Sequence, residues 1–320
     1  MIKVSQVKDT AEIPVFFPAG GETLFGILTE PHDPIGAAAI LLRGGGQGPC
    51  SERNQIDARL CRRLSEDGFH AFRFDYHGVG ESTGAVERFR LDEPFEEDVE
   101  AAINWLRGRG IERFILIGGC FGARTALACA ARVPGLEGLV LKALPVRDKE
   151  KDETGTWPLV PDRTVWQYAS RAFRPHVVRA LFSATKRRGY LRVFRAAWRA
   201  RTESPEAKGD NPAPRWLSTA LLSNVETALQ RSIPILFVSG TKDPGFGDFD
   251  RAMSARLGEI LQESGSLVDA ETLAGRVGGA DASLQQPVID LIAEWLGHNE
   301  EVDHSNIHSP ANLELRTFHA

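Results

Sequence analysis

The sequence predicts an α/β protein in which a mostly parallel sheet of eight strands is covered by helices on both faces. Two observations predict this fold class. Short apolar runs bounded by turn residues alternate with segments of helical period, which is the pattern of repeated strand–helix–strand units. The length of 320 residues also leaves room for one large domain with an insertion.

Turn residues and apolar runs predict the elements of the first half of the chain. A Gly-Gly pair between the first two strands indicates a hairpin, and Pro94 with the acidic turn that follows it opens a helix. Ser51 is predicted to cap a helix that Gly68 ends. The predicted strands of this half are Ile13–Phe17, Thr23–Leu28, Ala37–Leu42, Phe69–Phe74, Phe114–Ile117 and Leu139–Leu141.

The alternation breaks between residues 145 and 230, a helical and basic segment that we predict to be an inserted lid. It resumes with strands at Ile233–Val238 and Leu267–Leu273, each followed by a helix. We therefore divide the chain into a core of residues 1–144 and 231–297, a lid of residues 145–230, and a polar tail of residues 298–320.

Composition excludes several classes of protein. The 42% hydrophobic and 25% charged content is ordinary for a soluble globular chain, and the net charge is −5. The first twenty residues lack the apolar run of a signal peptide, and no stretch reaches membrane-spanning length. Four cysteines form neither a disulfide framework nor the paired spacing of a zinc site. We expect a cytoplasmic protein without a metal ion or other cofactor.

The turn at residues 118–122, with the sequence G-G-C-F-G, is the strongest candidate for a nucleophile. It follows an apolar strand and precedes a helix, the context in which a strained elbow presents a reactive side chain. A helix N-terminus favours the thiolate form of Cys120. The amide of Phe121 would supply one half of an oxyanion hole, and Gly45 or Gly46 the other. The alternative is an inert, buried cysteine, which we predict for the other three.

Four stretches of the chain carry a family resemblance. They are the glycine run at 44–46, the D-Y-H-G-V-G-E-S segment at 75–82, the cysteine turn, and G-T-K-D at 240–243. Together they resemble the α/β-hydrolase family, and a cysteine in the elbow is similar to dienelactone hydrolases, polyhydroxyalkanoate synthases and some chain-releasing cyclases. The resemblance implies the α/β-hydrolase fold, Cys120 as nucleophile, and Asp243 as the acid that orients a histidine. The alternative for Asp243 is capping of the following turn.

The histidine that the resemblance implies is missing, because Gly278 occupies its position after the last strand. Three explanations are open. Another histidine reaches the thiol, and His77 is a candidate because the family places its loop near the top of the sheet. Alternatively, Cys120 works without a histidine, since a thiol is partly ionised near neutral pH, or the protein has lost catalysis and binds a ligand. Asp148 is a second candidate acid. The remaining candidate histidines are His298, His304 and His308 in the tail.

The segment from residue 171 to 201 reverses the sign of the chain's charge. It holds ten basic residues and no acidic one, interleaved with aromatic residues. A solvated face is one interpretation. The functional interpretation is an apolar groove with a cationic rim for an anionic acyl carrier, either coenzyme A or an acyl carrier protein. We assign Arg43, Arg195 and Trp198 to substrate binding. A membrane surface is a further candidate partner, and nucleic acid is disfavoured because no recognition motif accompanies the charge. The sequence does not specify the oligomeric state.

Two functional hypotheses follow. In the first, Cys120 forms an acyl-enzyme on a thioester or ester substrate and passes the acyl group to water or another acceptor, as in a thioesterase, acyltransferase or cyclase. The missing histidine favours transfer, since a bound acceptor needs less activation than bulk water. In the second, the fold survives as a non-catalytic ligand-binding or scaffold protein. A serine-type esterase is disfavoured because the elbow holds no serine.

Overall fold

The computed structural model describes residues 11–45, 50–86, 89–148, 216–263, 267–277 and 281–302. The chain divides into two compact units, Met1–Arg147 with Pro214–Ala320, and Asp148–Ala213. Apart from Asp148, all of the described residues belong to the first unit.

The described residues form an eight-stranded sheet with the order β1-β2-β4-β3-β5-β6-β7-β8. The pairs β1–β2 and β2–β4 are antiparallel, and every other neighbouring pair is parallel. The predicted fold class is therefore confirmed. The strands are β1 (Ala11–Ala19), β2 (Glu22–Glu30), β3 (Ala37–Leu42), β4 (His70–Phe74), β5 (Arg113–Gly119), β6 (Leu136–Lys142), β7 (Ile235–Gly240) and β8 (Val268–Leu273).

Helices cover both faces of this sheet, and the burial of β3 shows why. All six residues of β3 are buried. Ala37, Ala39 and Leu41 face a cluster built with α1 and α7, while the alternate residues face α3. The helices described are α1 (Ile56–Glu66), α2 (Glu96–Arg107), α3 (Phe121–Ala128), α4 (Thr219–Gln230), α5 (Phe246–Met253), α6 (Arg256–Gln262) and α7 (Ala282–Val302).

Two helix predictions needed correction. Ser51 does not cap α1, which begins at Ile56 after a short 3-10 turn. Glu52, Asn54 and Gln55 all have positive φ, so the chain between Ser51 and α1 follows an irregular path that helical periodicity does not show. The single helix predicted after β7 is two helices, α5 and α6, separated at residues 254 and 255.

The structure also moves two predicted boundaries. Thr219–Gln230, which we placed in the lid, is helix α4, and it packs against α3 within the first unit. Helix α7 continues past Gly297 to Val302, so the first residues of the predicted tail are helical. The rest of the lid lies outside the described residues and stays a prediction. In the described part of the chain, no helix is both long and apolar enough to cross a bilayer.

Candidate active site

Cys120 lies at the carboxyl edge of the sheet, between the end of β5 and the first residue of α3. Its backbone adopts φ 49° and ψ −110°, a strained conformation for a residue with a side chain. Its N–H donates to the carbonyl of Lys142 at 2.9 Å, and its own carbonyl accepts from Ala123 at 3.1 Å. The side chain is exposed. Cys120 thus lies exposed in a strained turn, and its role as a nucleophile stays a prediction.

The two flanking glycines permit this elbow because backbone segments cross them closely. A Cβ at Gly118 would lie 2.3 Å from the carbonyl carbon and oxygen of Gly122. A Cβ at Gly122 would lie 2.2 Å from the carbonyl oxygen of Leu42 and 2.5 Å from that of Arg43. Both distances are far below van der Waals contact, so the turn requires glycine at both positions.

The glycine run after β3, which we predicted to form an oxyanion loop, lies beside Cys120. A Cβ at Gly44 would be 3.8 Å from the Cβ of Cys120, and one at Gly45 would be 3.1 Å from the Cβ of Phe121. Gly45 has φ +85°, which suits glycine. The first amides of a helix have no partner within it, so the Phe121 N–H at the start of α3 is a candidate donor for an oxyanion. Gly46 lies outside the described residues.

Glu52 is a residue of this site that sequence reasoning missed. Its Oε1 accepts from the Gly44 N–H at 2.9 Å and lies 3.6 Å from the position of a Gly44 Cβ. The carboxylate therefore anchors the start of the oxyanion loop close to Cys120. No motif in the sequence indicates this role, because it depends on the left-handed conformation of Glu52 itself.

Asp243 follows β7 at the same edge of the sheet, two strands from β5, where the resemblance placed an acid. It is buried, and its carboxylate accepts from the Gly240 N–H at 2.8 Å and from the Val277 N–H at 3.1 Å. These bonds fix the loop in which the family has its histidine. Gly278 lies outside the described residues. The structural alternative, in which Asp243 organises turns, thus has direct support, and its catalytic role stays a prediction.

His77 is tied to Asp98 on α2. Its Nδ1 lies 2.9 Å from Oδ2 and 3.1 Å from Oδ1 of Asp98, and its backbone N–H donates to Oδ2 at 2.8 Å. Burial raises the pKa of the Asp98 carboxyl, and the contacts with His77 partly offset this effect. The ring of Phe95 contacts both His77, with centroids 4.5 Å apart, and Phe121, at 5.0 Å. His77 is thus oriented by an acid near the elbow, and its action on Cys120 stays a prediction.

Of the other candidate acid and histidines, Asp148 and His298 lie within the described residues. Asp148 is half-buried in the segment after β6. His298 lies on the exposed side of α7, where its Nδ1 is 2.7 Å from the carbonyl oxygen of Glu294 on the same helix. His304 and His308 lie outside the described residues.

Arg43, which we predicted to bind substrate, instead lies inside the protein. It is 2% exposed, and its Nη1 lies 3.3 Å from Oδ1 of Asp75. A buried guanidinium with a buried carboxylate partner organises the loops after β3 and β4 rather than meeting a ligand at the surface. Arg195 and Trp198 lie outside the described residues, so their assignment to substrate binding stays a prediction.

A buried ion pair lies under the elbow. The Nζ of Lys142, at the end of β6, is 3.3 Å from Oδ1 of Asp57 on α1, and both side chains are less than a tenth exposed. Lys142 Cε would lie at an ordinary contact distance of 3.7 Å from a Cβ at Gly119, so the lysine chain passes beside the residue before Cys120. Burial raises the pKa of the Asp57 carboxyl, and Lys142 opposes that shift.

Aromatic side chains form one wall of the site. Phe121 is buried and contacts the half-buried rings of Phe89 and Phe95, each with centroids 5.0 Å away. Phe89 also lies 3.4 Å from the position of a Gly45 Cβ. An apolar surface thus lies directly beside the glycine loop.

The three remaining cysteines are buried, as predicted. Burial raises the pKa of the Cys50 thiol to about 12 and raises those of Cys61 and Cys129 further. Buried thiols of this kind are inert toward substrates. Among the residues that the structure describes, no group of three or more His, Cys, Asp or Glu side chains is arranged to hold a metal ion.

A family model for the serine aminopeptidases, S33, matches residues 47–249, more than half of the chain. The chain belongs to this family of α/β hydrolases. Solved structures agree on the fold. An esterase of Pyrococcus furiosus aligns with a TM-score of 0.58 at 14% identity, over 93% of this chain and 96% of that one. A proline iminopeptidase of Mycobacterium smegmatis aligns with a TM-score of 0.52 at 15% identity, over 91% and 100%.

Curated relatives of this S33-family chain are named acyl transferases. One from Photorhabdus luminescens is 30% identical over 107 residues, which is 33% of each chain. One from Vibrio campbellii is 36% identical over 101 residues, which is 31% of this chain and 32% of the relative. The matched region thus spans about a third of the length of these relatives. Together with the family, they associate the chain with hydrolase or acyl-transfer chemistry in general terms.

Proposed function

We propose that the protein is an acyl-transfer enzyme that uses Cys120 to attack a thioester or ester. The observation that carries the proposal is the exposed thiol in a strained elbow at the N-terminus of α3, with the Gly44–Gly45 segment beside it. An elbow in this conformation is costly to maintain, and its glycine requirements restrict the sequence. Strain of this kind is concentrated at functional sites.

In the first step, the sulfur of Cys120 bonds to the carbonyl carbon of the substrate. Negative charge develops on the carbonyl oxygen, where the amides of Phe121 and the glycine loop can stabilise it. The bond to the leaving group then breaks, and that thiol or alcohol departs with the proton of Cys120. In the second step, an acceptor attacks the acyl-enzyme, the acyl group leaves the sulfur, and the thiol is restored with the acceptor's proton.

The sequence favours transfer to a bound acceptor over hydrolysis. Gly278 occupies the position where the family resemblance expects the histidine that would activate water. A bound amine, alcohol or carbon nucleophile is already positioned and needs less help from a base. His77, oriented by Asp98, is the base that we propose for the proton transfers.

The apolar wall and the basic segment support an acyl substrate on an anionic carrier. Phe89 and Phe95 offer half-buried rings beside the glycine loop, which suits an aliphatic acyl chain. The basic segment at 171–201 suits the phosphates of coenzyme A or an acidic acyl carrier protein. The names of the matching relatives point in the same direction.

The experiment is to incubate the full chain with acyl-coenzyme A thioesters of increasing chain length and to follow the intact mass. We expect an adduct of one acyl group on Cys120, formed faster with longer chains because of Phe89. The adduct should be absent in Cys120→Ala. His77→Gln should slow its formation. An adduct that persists in Cys120→Ala, or no adduct with any thioester or aryl ester, would contradict the proposal.

A second candidate is a non-catalytic ligand-binding protein with a hydrolase fold. The hydrogen bonds of Asp243 to the Gly240 and Val277 amides favour it, because they give this acid a structural task without a histidine. This candidate predicts that Cys120 reacts with iodoacetamide no faster than a free cysteine does. The acyl-transfer proposal predicts faster alkylation.

A further inference from the structure

We propose that Arg124 is a positioning residue, which fixes the Cys120 turn relative to the aromatic wall and to the two chain ends that flank residues 149–215. This inference rests on the proposed acyl transfer, because it concerns the geometry of that reaction. Arg124 lies on α3, one helical turn after Cys120, and its backbone N–H donates to the Cys120 carbonyl at 3.3 Å. A displacement of Arg124 therefore reaches the Cys120 turn through a single hydrogen bond.

The side chain of Arg124 is buried and donates to oxygen atoms from three separate parts of the chain. Only 5% of the residue is exposed. Nη2 donates to the carbonyl oxygen of Leu91 at 3.2 Å and to Oγ of Ser218 at 3.1 Å. Nη1 donates to the carbonyl oxygen of Pro145 at 3.4 Å. Because a guanidinium holds its donors in one rigid plane, this side chain constrains the distances among the three acceptors.

The bond to Leu91 connects Arg124 to the aromatic wall of the site. Phe89 is two residues earlier in the same segment, and its ring lies 3.4 Å from the position of a Gly45 Cβ. The same ring contacts Phe121 on α3, with centroids 5.0 Å apart. Arg124 thus ties the wall to the helix that presents Cys120. In the proposed reaction, the acyl group lies between that wall and the thiol.

The other two acceptors belong to chain ends that lie side by side. Pro145 precedes residues 149–215 in the sequence, and Ser218 follows them. The N–H of Ser218 donates to the carbonyl oxygen of Val146 at 2.9 Å, which joins the two ends directly. Arg124 therefore fixes both ends to α3, and through α3 to the Cys120 turn.

Arg231 offers a matched control at the opposite end of the same helix. Its Nη2 donates to the carbonyl oxygen of Val133 at 2.8 Å, and its Nη1 donates to that of Ala130. Both carbonyls lie just after α3. The loss of Arg231 thus removes bonds from a guanidinium to main-chain oxygens without touching the Cys120 turn.

The test compares two reactions of Cys120 in the full chain, acylation by an acyl-coenzyme A thioester and alkylation by iodoacetamide. Acylation needs the substrate carbonyl aligned with the thiol and the oxyanion donors, whereas alkylation needs only an exposed thiolate. We expect Arg124→Met to slow acylation about 10- to 100-fold and alkylation no more than about threefold. Arg124→Lys keeps the charge without the planar fork, so it should also slow acylation roughly tenfold. Arg231→Met should leave both rates within about twofold of wild type.

A thiol and a second site keep the test independent of the folding of Arg124→Met. Cys129 is buried just after α3, so its labelling by iodoacetamide reports opening of that helix. Ser218→Ala removes one acceptor and leaves Arg124 in place, and it should slow acylation about three- to tenfold.

The outcomes separate this inference from the function on which it rests. Wild-type acylation in Arg124→Lys or Ser218→Ala, or equal slowing of acylation and alkylation in Arg124→Met, would overturn the positioning role and leave the proposed function standing. If no thioester acylates the wild-type protein, the proposed function fails and the positioning role fails with it.

Discussion

The substitution Gly122→Ala tests whether close backbone packing holds the nucleophile. The added Cβ would lie 2.2 Å from the Leu42 oxygen and 2.5 Å from the Arg43 oxygen, whereas such contacts essentially never fall below 3.0 Å. The elbow and the end of β3 must separate by roughly 1 Å, because backbone atoms cannot rotate away. Overpacking of this kind costs about 1–3 kcal/mol, and a 1 Å misplacement of a catalytic group costs on the order of 100-fold in rate.

We therefore expect Gly122→Ala to lower the free energy of unfolding by about 3 kcal/mol. We also expect it to lower the rate of Cys120 acylation about 100-fold. Denaturant unfolding and intact-mass kinetics measure the two effects. Gly247→Ala is the matched control, since Gly247 lies within α5 with nothing within 4 Å of an added Cβ. Alanine there should stabilise the helix by about 0.5–1 kcal/mol and leave acylation unchanged. Wild-type stability and acylation in Gly122→Ala would refute the packing argument.

Three further predictions concern the thiols, the buried ion pair and the loop anchor. In native protein at pH 8, iodoacetamide should modify Cys120 alone, because the buried thiols are too weakly ionised. Peptide mass mapping identifies the labelled cysteine. Early labelling of another cysteine would contradict the prediction. Lys142→Met should cost about 3–5 kcal/mol at neutral pH by stranding the Asp57 carboxylate. Because burial raises the Asp57 pKa, the folded variant gains a proton as pH falls, so urea unfolding should show this deficit shrinking towards acid pH and not growing. Glu52→Gln keeps an acceptor for the Gly44 amide, so it should retain acyl transfer within about threefold. Glu52→Ala removes the acceptor and should lower kcat/KM about 10- to 100-fold. Equal losses in the two variants would indicate that Glu52 acts as a base and not as an anchor.

The central strands of the sheet were predictable from the sequence because they are short and buried on both faces. The continuous apolar run of β3 matches the predicted range Ala37–Leu42 residue for residue. The elbow was predictable for a different reason, since its geometry demands glycine at positions 118 and 122 and leaves that requirement visible in the sequence. The position of Asp243 after β7 was implied by the family resemblance, whose acid turn matches G-T-K-D at 240–243.

Features that depend on tertiary contacts were not predictable. Arg43 has the chemistry of a ligand-binding residue, but a carboxylate 32 positions away, Asp75, draws it into the interior. Glu52 anchors the Gly44 amide through its unusual φ value, and the hydrophobic periodicity of the sequence does not indicate that conformation. Gly297 suggested the end of a helix, although α7 passes through it and ends at Val302.

Lys142 joins the Cys120 turn and helix α1 by separate chemical means. Its carbonyl holds the amide of Cys120, while its ammonium holds Asp57 at the start of α1. The main chain of this residue thus serves one element and its side chain another, so the two attachments can be uncoupled experimentally. Replacing the pair together, as Lys142→Met with Asp57→Leu, would leave the peptide link to the elbow in place and release only the tether to the helix.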